Sequence, residues 1–316
     1  MTRPRVASDA TGTVLAVWGT GAVGRFYDPV SAAWQPLAAI EHSTFGTGFS
    51  DTPVPLLDGS GNALVVFTHL FPGEWFLASN YFSRNAGTWG QLPAGAENDI
   101  LGQVPGSLIF GFIDDVQLTA STGGDFLVAW RATEEDSGRD MIRIAHFTGR
   151  TQSWDMARTL VPPAERVYIV LERIASDAMG NALVLWTEFD GTQTALKTVR
   201  VDRTGATCSP AQAIDRAASG GAADLAVDPL GNAIAIWQQF EGSRTDIGAR
   251  SNIAISRFDH ATGAWTDAVL AETQPGNAIS PRASAAGGQA LLGWIQAEGG
   301  ANRVKALLQP IDDASR

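Results

Sequence analysis

Asp228-Pro229-Leu230-Gly231-Asn232-Ala233-Ile234-Ala235-Ile236-Trp237 decides how this chain is read, because the phrase returns five more times along the 316 residues. Aligned on its glycine, the copies place Gly12, Gly61, Gly124, Gly180, Gly231 and Gly288 six residues before Trp18, Phe67, Trp130, Trp186, Trp237 and Trp294. Successive aromatics stand 49 to 63 residues apart, the period of propeller blades and longer than that of leucine-rich or ankyrin repeats. Three residues before the glycine, Asp9, Asp58, Asp177 and Asp228 recur, and Asn62, Asn181 and Asn232 follow it. Short polar side chains bond their own backbone and glycine accepts positive φ, so the phrase opens with a tight turn, not a calcium loop.

Beyond the turn, Ala233, Ala235 and Trp237 alternate with Ile234 and Ile236. A strand apolar on both faces lies between two layers, which makes the recurring tryptophans core residues. A second constant follows: Tyr27, Phe82, Phe147 and Phe258 precede Trp34, Trp89, Trp154 and Trp265 by seven, while Val201 precedes Cys208. Cys208 is thus expected to be a small buried thiol in a degenerate copy of a tryptophan site. One unit reads as strand a (225–228), turn, strand b (233–237), loop, strand c (253–258), turn and strand d (265–270).

Six such units, with hardly any helical periodicity, predict an all-β fold: one six-bladed β-propeller of four-stranded antiparallel blades. The blades fall near 4–41, 52–97, 114–165, 171–215, 222–272 and 279–316. Tyr27-Asp28-Pro29 before Trp34 and Phe258-Asp259 before Trp265 resemble the kelch repeat, and Asp228-Pro229-Leu230-Gly231-Asn232 is similar to the a–b turn of NHL-type propellers. The glycine doublet that ends strand b in kelch blades is replaced by Trp237-Gln238-Gln239. The last blade reads as incomplete, since Ile311-Asp312-Asp313 matches Phe258-Asp259-His260 and the sequence then stops. The expectation is a fragment of a longer protein or a three-stranded sixth blade.

Composition narrows the partners. A net charge of −11 argues against a nucleic-acid backbone as ligand, and 45% hydrophobic residues supply a substantial core. One cysteine excludes an intrachain disulfide, and His42, His69, His146 and His260 lack the paired spacing of metal ligands. No cofactor, metal or membrane insertion is expected, because no apolar run reaches bilayer length. The start lacks a signal-peptide core, so the compartment follows from whether a leader was trimmed: cell envelope or extracellular if so, cytoplasmic otherwise.

Alternating strand directions put the a–b and c–d turns on one face and the b–c and d–a connections on the other. The insertions at 68–77, 95–114, 131–140 and 238–252 all fall on the second face, the expected binding face. The candidate contacts there are Glu74, Trp75, Arg131, Glu134, Glu188, Glu241, Arg244 and Glu298. Trp75 stands outside the repeat register, and the glutamates form a partial carboxylate ring at the channel mouth. The apolar 101–112 stretch, with Leu108-Ile109-Phe110, is expected to plug the channel or form a partner patch. The first expectation for function is a non-catalytic binding propeller for a protein, peptide or glycan, at a bacterial cell surface. The alternative is a glycan-active hydrolase or lyase using the loop carboxylates as acid and base.

Overall fold

The computed structural model describes residues 4–19, 21–41, 49–71, 74–90, 110–121, 123–134, 137–215, 220–242 and 249–312. Among them every regular element is a strand, and the chain divides into two compact units, Met1–Pro163 and Ala164–Arg316. The first unit holds three antiparallel sheets. Their successive strands are Arg5–Ser8, Val14–Trp18, Val23–Asp28 and Ala33–Trp34; Phe49–Leu57, Ala63–Phe71, Glu74–Ser83 and Thr88–Trp89; and Phe110–Ala120, Phe126–Glu134, Asp140–Thr148 and Ser153–Trp154. The second unit holds Tyr168–Ser176, Ala182–Phe189, Thr194–Val201 and Gln212–Ala213; Gly220–Val227, Ala233–Phe240, Ser251–Asp259 and Ala264–Trp265; and Ala278–Ala286, Gln289–Glu298 and Ala301–Pro310. The sixth sheet is three-stranded among the described residues.

Five sheets are thus the a-b-c-d hairpin series that the repeats imply, the sixth is its a-b-c part among the described residues, and both faces of strand b are used. Within the first unit, Leu15 and Val17 pack onto the second sheet, whose Leu64 and Val66 share a core with Trp130 and Phe126 of the third. Within the second unit, Leu183 and Leu185 pack on Ala233, Ala235 and Trp237, while Ile234 and Ile236 pack on Ala290, Leu292 and Trp294. The rule is the same in each pair: a leucine, isoleucine or valine row of one sheet covers the strand-b row of the next that ends in the aromatic. Trp130, Trp186 and Trp237 are fully buried, as the both-faced apolar strand requires.

The turns explain the invariant polar residues. One oxygen of Asp228 accepts the N–H groups of Leu230 and Asn232, and the other accepts the Asn232 amide; Asp58 and Asp177 repeat this. The Asn232 oxygen then takes the N–H of His260, tying the a–b turn to the c–d turn of the same sheet. Gly231 sits at φ 92°, and a Cβ there would lie 2.4 Å from the His260 ring. Gly231→Ala is therefore expected to cost about 1–3 kcal/mol for the left-handed backbone and the clash, read as a lower urea midpoint. A loss under about 0.3 kcal/mol would refute this account of the turn.

Strand a carries a feature absent from the repeat reading. Its register slips in five sheets, between Asp51 and Val54, Asp114 and Gln117, Leu171 and Arg173, Gly220 and Ala223, and Ile279 and Arg282. These are β-bulges at the level of the strand-b aromatic, and Thr52, Asp115 and Ser280 in them adopt positive φ. Bulges re-aim side chains away from the sheet alternation.

Three expectations are corrected. Cys208 is exposed rather than buried, because the tryptophan site lies at the sheet rim, where Trp34 is itself half exposed and only a large ring can cover the strand-c aromatic. The segments read as b–c insertions are mostly strand: 68–71, 74–77, 131–134, 238–240 and 251–252 continue the hairpins. Strand d is shorter than expected, split in the fifth sheet into Ala264–Trp265 and Val269–Leu270. Of the apolar 101–112 stretch, 101–109 lies outside the described residues, and Phe110 begins a strand.

Candidate functional site

The residues expected to form the binding face separate once their partners are known. Glu74 and Trp75 lie in a strand, in register with Phe71 and Leu70; their side chains lie outside the described set, as does Arg244. Arg131 is buried and bonded by its guanidinium to Asp114, Asp115 and Asp140 at 2.5, 3.3 and 3.1 Å. Glu134 accepts the Ser137 hydroxyl. Glu188 accepts the Trp186 indole N–H at 2.8 Å and pairs with Lys197 at 2.7 Å. Glu241 takes the Asn252 amide at 2.8 Å, with Arg250 at 3.8 Å. Glu298 pairs with Lys305 at 3.0 Å, and that hydrogen bond and charge hold its carboxyl below the ordinary value.

Each of these glutamates takes its partners from its own sheet. Glu188 in particular belongs to the repeat, since Trp237 and Trp294 donate to Gln239 and Gln296 two residues on in the same way. Its local duty is to satisfy a buried indole.

Two other carboxyls each bridge the fourth and fifth sheets, inside the second unit. Glu172 is the bulged residue of strand a, inserted between Leu171, opposite Trp186, and Arg173, opposite Leu185. The bulge turns it toward the fifth sheet, where it accepts the Thr187 hydroxyl at 3.0 Å and the Ala223 N–H at 3.3 Å. Asp215, on the connection entering the fifth sheet, is buried and accepts the N–H groups of Leu196 and Gly220 at 2.6 and 3.2 Å. Leu196 and Thr187 are cross-strand partners, so the two carboxyls are held by neighbouring residues of one ladder. Gly220 is required for the approach, since a Cβ there would stand 2.8 Å from Asp215. Tyr168, half exposed, begins the same strand as Glu172.

The two acids occupy unlike settings. Burial pushes Asp215 up to about 6, against the pull of its two backbone donors. The folded chain then holds this proton more tightly than the unfolded chain, where the value is 3.8. The stabilisation is complete below that value and is lost as pH rises through about 6. The expected loss is on the order of 2 kcal/mol, and Asp215→Asn should flatten it. Unfolding midpoints that stay level for the wild type across this window would overturn it. Beside the pair, Arg173 bridges to buried Asp224 at 2.9 Å, and Asp224 accepts the Ala283 N–H of the sixth sheet.

Sequence reading passed over Glu172, although it is the one charged residue eight before a turn glycine, where the other copies have Pro4, Pro53, Val116, Ala223 and Ser280. Asp215 had a weaker signal, because Glu272 fills the same place in the next sheet and clamps the Ile253 N–H.

No protein family and no curated protein matches the sequence. Among solved structures, an ulvan lyase of a polysaccharide lyase family, bound to GlcA(1-4)Rha3S, is similar over 98% of this chain and 79% of its own, with TM-score 0.57 and 12% identity. An α-L-arabinofuranosidase from Fusarium graminearum is similar over 100% and 94%, with TM-score 0.53 and 10% identity. A Hadza microbial sialidase is similar over 96% of this chain, with TM-score 0.53 and 13% identity; this chain spans 65% of it. At these identities the likeness is one of fold: the chain is an all-β protein of the β-propeller class. The expectation of a kelch-like, non-catalytic binding module is overturned, since structures sharing the fold over nearly the whole chain are named as a lyase, a glycosidase and a sialidase.

Proposed function

We propose that this chain is a glycan-active enzyme, a hydrolase or lyase whose acid and base are carboxyls that bridge the fourth and fifth sheets. The observation that carries the reading is the Glu172–Asp215 arrangement: two carboxyls held by neighbouring residues of one ladder, Asp215 buried with its neutral form favoured and Glu172 fixed by the Thr187 hydroxyl and the Ala223 N–H. Environments that separate two acids are how one site obtains both a proton donor and a charged carboxylate near neutral pH. Asp215, neutral below about pH 6, supplies the proton to the departing glycosidic oxygen. Glu172, fixed by a hydroxyl and a backbone N–H, is the carboxylate that attacks, activates water or removes a proton. The fold shared with the ulvan lyase, arabinofuranosidase and sialidase supports a carbohydrate as the ligand.

The test is a panel of uronate-containing, arabinose-containing and sialylated glycans, followed by release of reducing ends and by the ultraviolet absorbance of unsaturated products. Cleavage of one substrate that is lost in both Glu172→Gln and Asp215→Asn, with unfolding midpoints retained, supports the reading. New reducing ends without the absorbance identify hydrolysis, and the two together identify elimination. No release from any glycan, or undiminished release by the Glu172→Gln variant, would sink it.

A further inference from the structure

Three buried indoles of the strand-b series are satisfied by the residue two places on. Trp186 donates to Glu188 at 2.8 Å, Trp237 to Gln239 at 2.8 Å and Trp294 to Gln296 at 3.2 Å. The third sheet keeps the tryptophan and loses its acceptor, because Ala132 stands two after Trp130. Trp130 is 1% exposed, and its indole N–H has no hydrogen-bond partner among the described residues. A buried donor without an acceptor is costly, and such groups are rare in folded chains.

The fourth sheet shows which acceptor suits the place. There Glu188 holds two donors at once: the Trp186 indole and, at 2.7 Å, the ammonium of Lys197, the cross-strand partner of Trp186. In the third sheet the cross-strand partner of Trp130 is Arg143, again a cation on the same face of the hairpin. Arg143 is buried and donates to the Ala157 carbonyl at 3.1 Å, and burial pushes its guanidinium pKa down. A neighbouring anion opposes that push. Relative to glutamate, alanine at 132 lacks one methylene and one carboxylate, the heavy atoms of acetate. Strand b is buried through Ala132, while Thr133 and Glu134 beyond it are partly exposed, so the place lies one residue inside the rim.

We propose that the third sheet binds a small, acetate-sized carboxylate, whose oxygens accept the Trp130 indole N–H and a guanidinium N–H of Arg143. The ligand takes the part that the Glu188 side chain plays in the fourth sheet. The site lies within the first unit and uses neither Glu172 nor Asp215, so it stands apart from the proposed catalysis.

The experiment titrates acetate into the full chain at neutral pH, with sodium chloride holding the ionic strength constant. It reads the thermal midpoint and the indole N–H resonance of Trp130, assigned by its loss in Trp130→Phe. For the wild type the midpoint is expected to rise saturably, and the indole proton to move downfield as its hydrogen bond forms. Trp130→Phe keeps most of the volume and is expected to bind acetate at least about tenfold more weakly, as the loss of a charge-assisted hydrogen bond requires. Ala132→Glu supplies the carboxylate from the chain itself, so it is expected to shift the same indole resonance without acetate and to abolish the response to added acetate. A wild type whose midpoint and indole resonance respond no differently to acetate than to chloride overturns the proposal. So does a Trp130→Phe variant that responds as the wild type does. An Ala132→Glu variant that fails to fold or still responds to acetate overturns it too, since a place that rejects the tethered carboxylate has no room for the free one.

Discussion

Trp237→Ala is expected to cost about 3–5 kcal/mol, the range for emptying a large aromatic site in a packed core. The indole is fully buried among Leu183, Leu185 and Ala254, so its removal exposes two sheets to one void. Its N–H also donates to Gln239 at 2.8 Å, leaving that amide oxygen without this partner. Urea unfolding measures the loss, and Trp237→Phe separates the two parts by keeping much of the volume while deleting the donor. A change below about 1 kcal/mol for the alanine variant would contradict the packing described here.

Arg131→Ala is the second large effect, about 3–5 kcal/mol, because removing one member of a buried ionic cluster leaves the others uncompensated. Burial lowers the guanidinium's pKa, but the hydrogen bond and charge of Asp114, with Asp140 and Asp115, more than offset it, and the net shift is upward. The side chain is thus a buried counter-charge to three aspartates. Urea unfolding of a charge-matched variant provides the check: Arg131→Ala combined with Asp114→Asn, Asp115→Asn and Asp140→Asn should recover part of the loss. If the quadruple variant is no more stable than Arg131→Ala alone, the charges are not what the arginine serves.

The fold was largely legible because repetition is a local signal seen six times over. Gly231 and Asn232 are fixed by turn geometry, and Ala233 to Trp237 by two-sided burial, so residue type alone carried the information. The candidate site was not legible for the opposite reason. Glu172 acts through a bulge, which leaves no trace in an alternation pattern, and through Thr187 and Ala223, which are distant in sequence. Glu188 and Glu298 could be located by charge and position, whereas their pairing with Lys197 and Lys305 across the hairpin could not. Cys208 shows the same limit: spacing located its site, and only the rim geometry decided its exposure.

The bulge at Glu172 also bears on how such a carboxylate arises. Leu171 stays opposite Trp186 and Arg173 opposite Leu185 on either side of it, so the residue is an addition to the ladder, not a member of it. The bulge recurs in other sheets with Pro53, Val116 and Ser280 in it, so a single substitution there would add or remove an acid while leaving every flanking cross-strand pair in place. A scaffold built this way changes the side chains it displays along strand a without renegotiating its core.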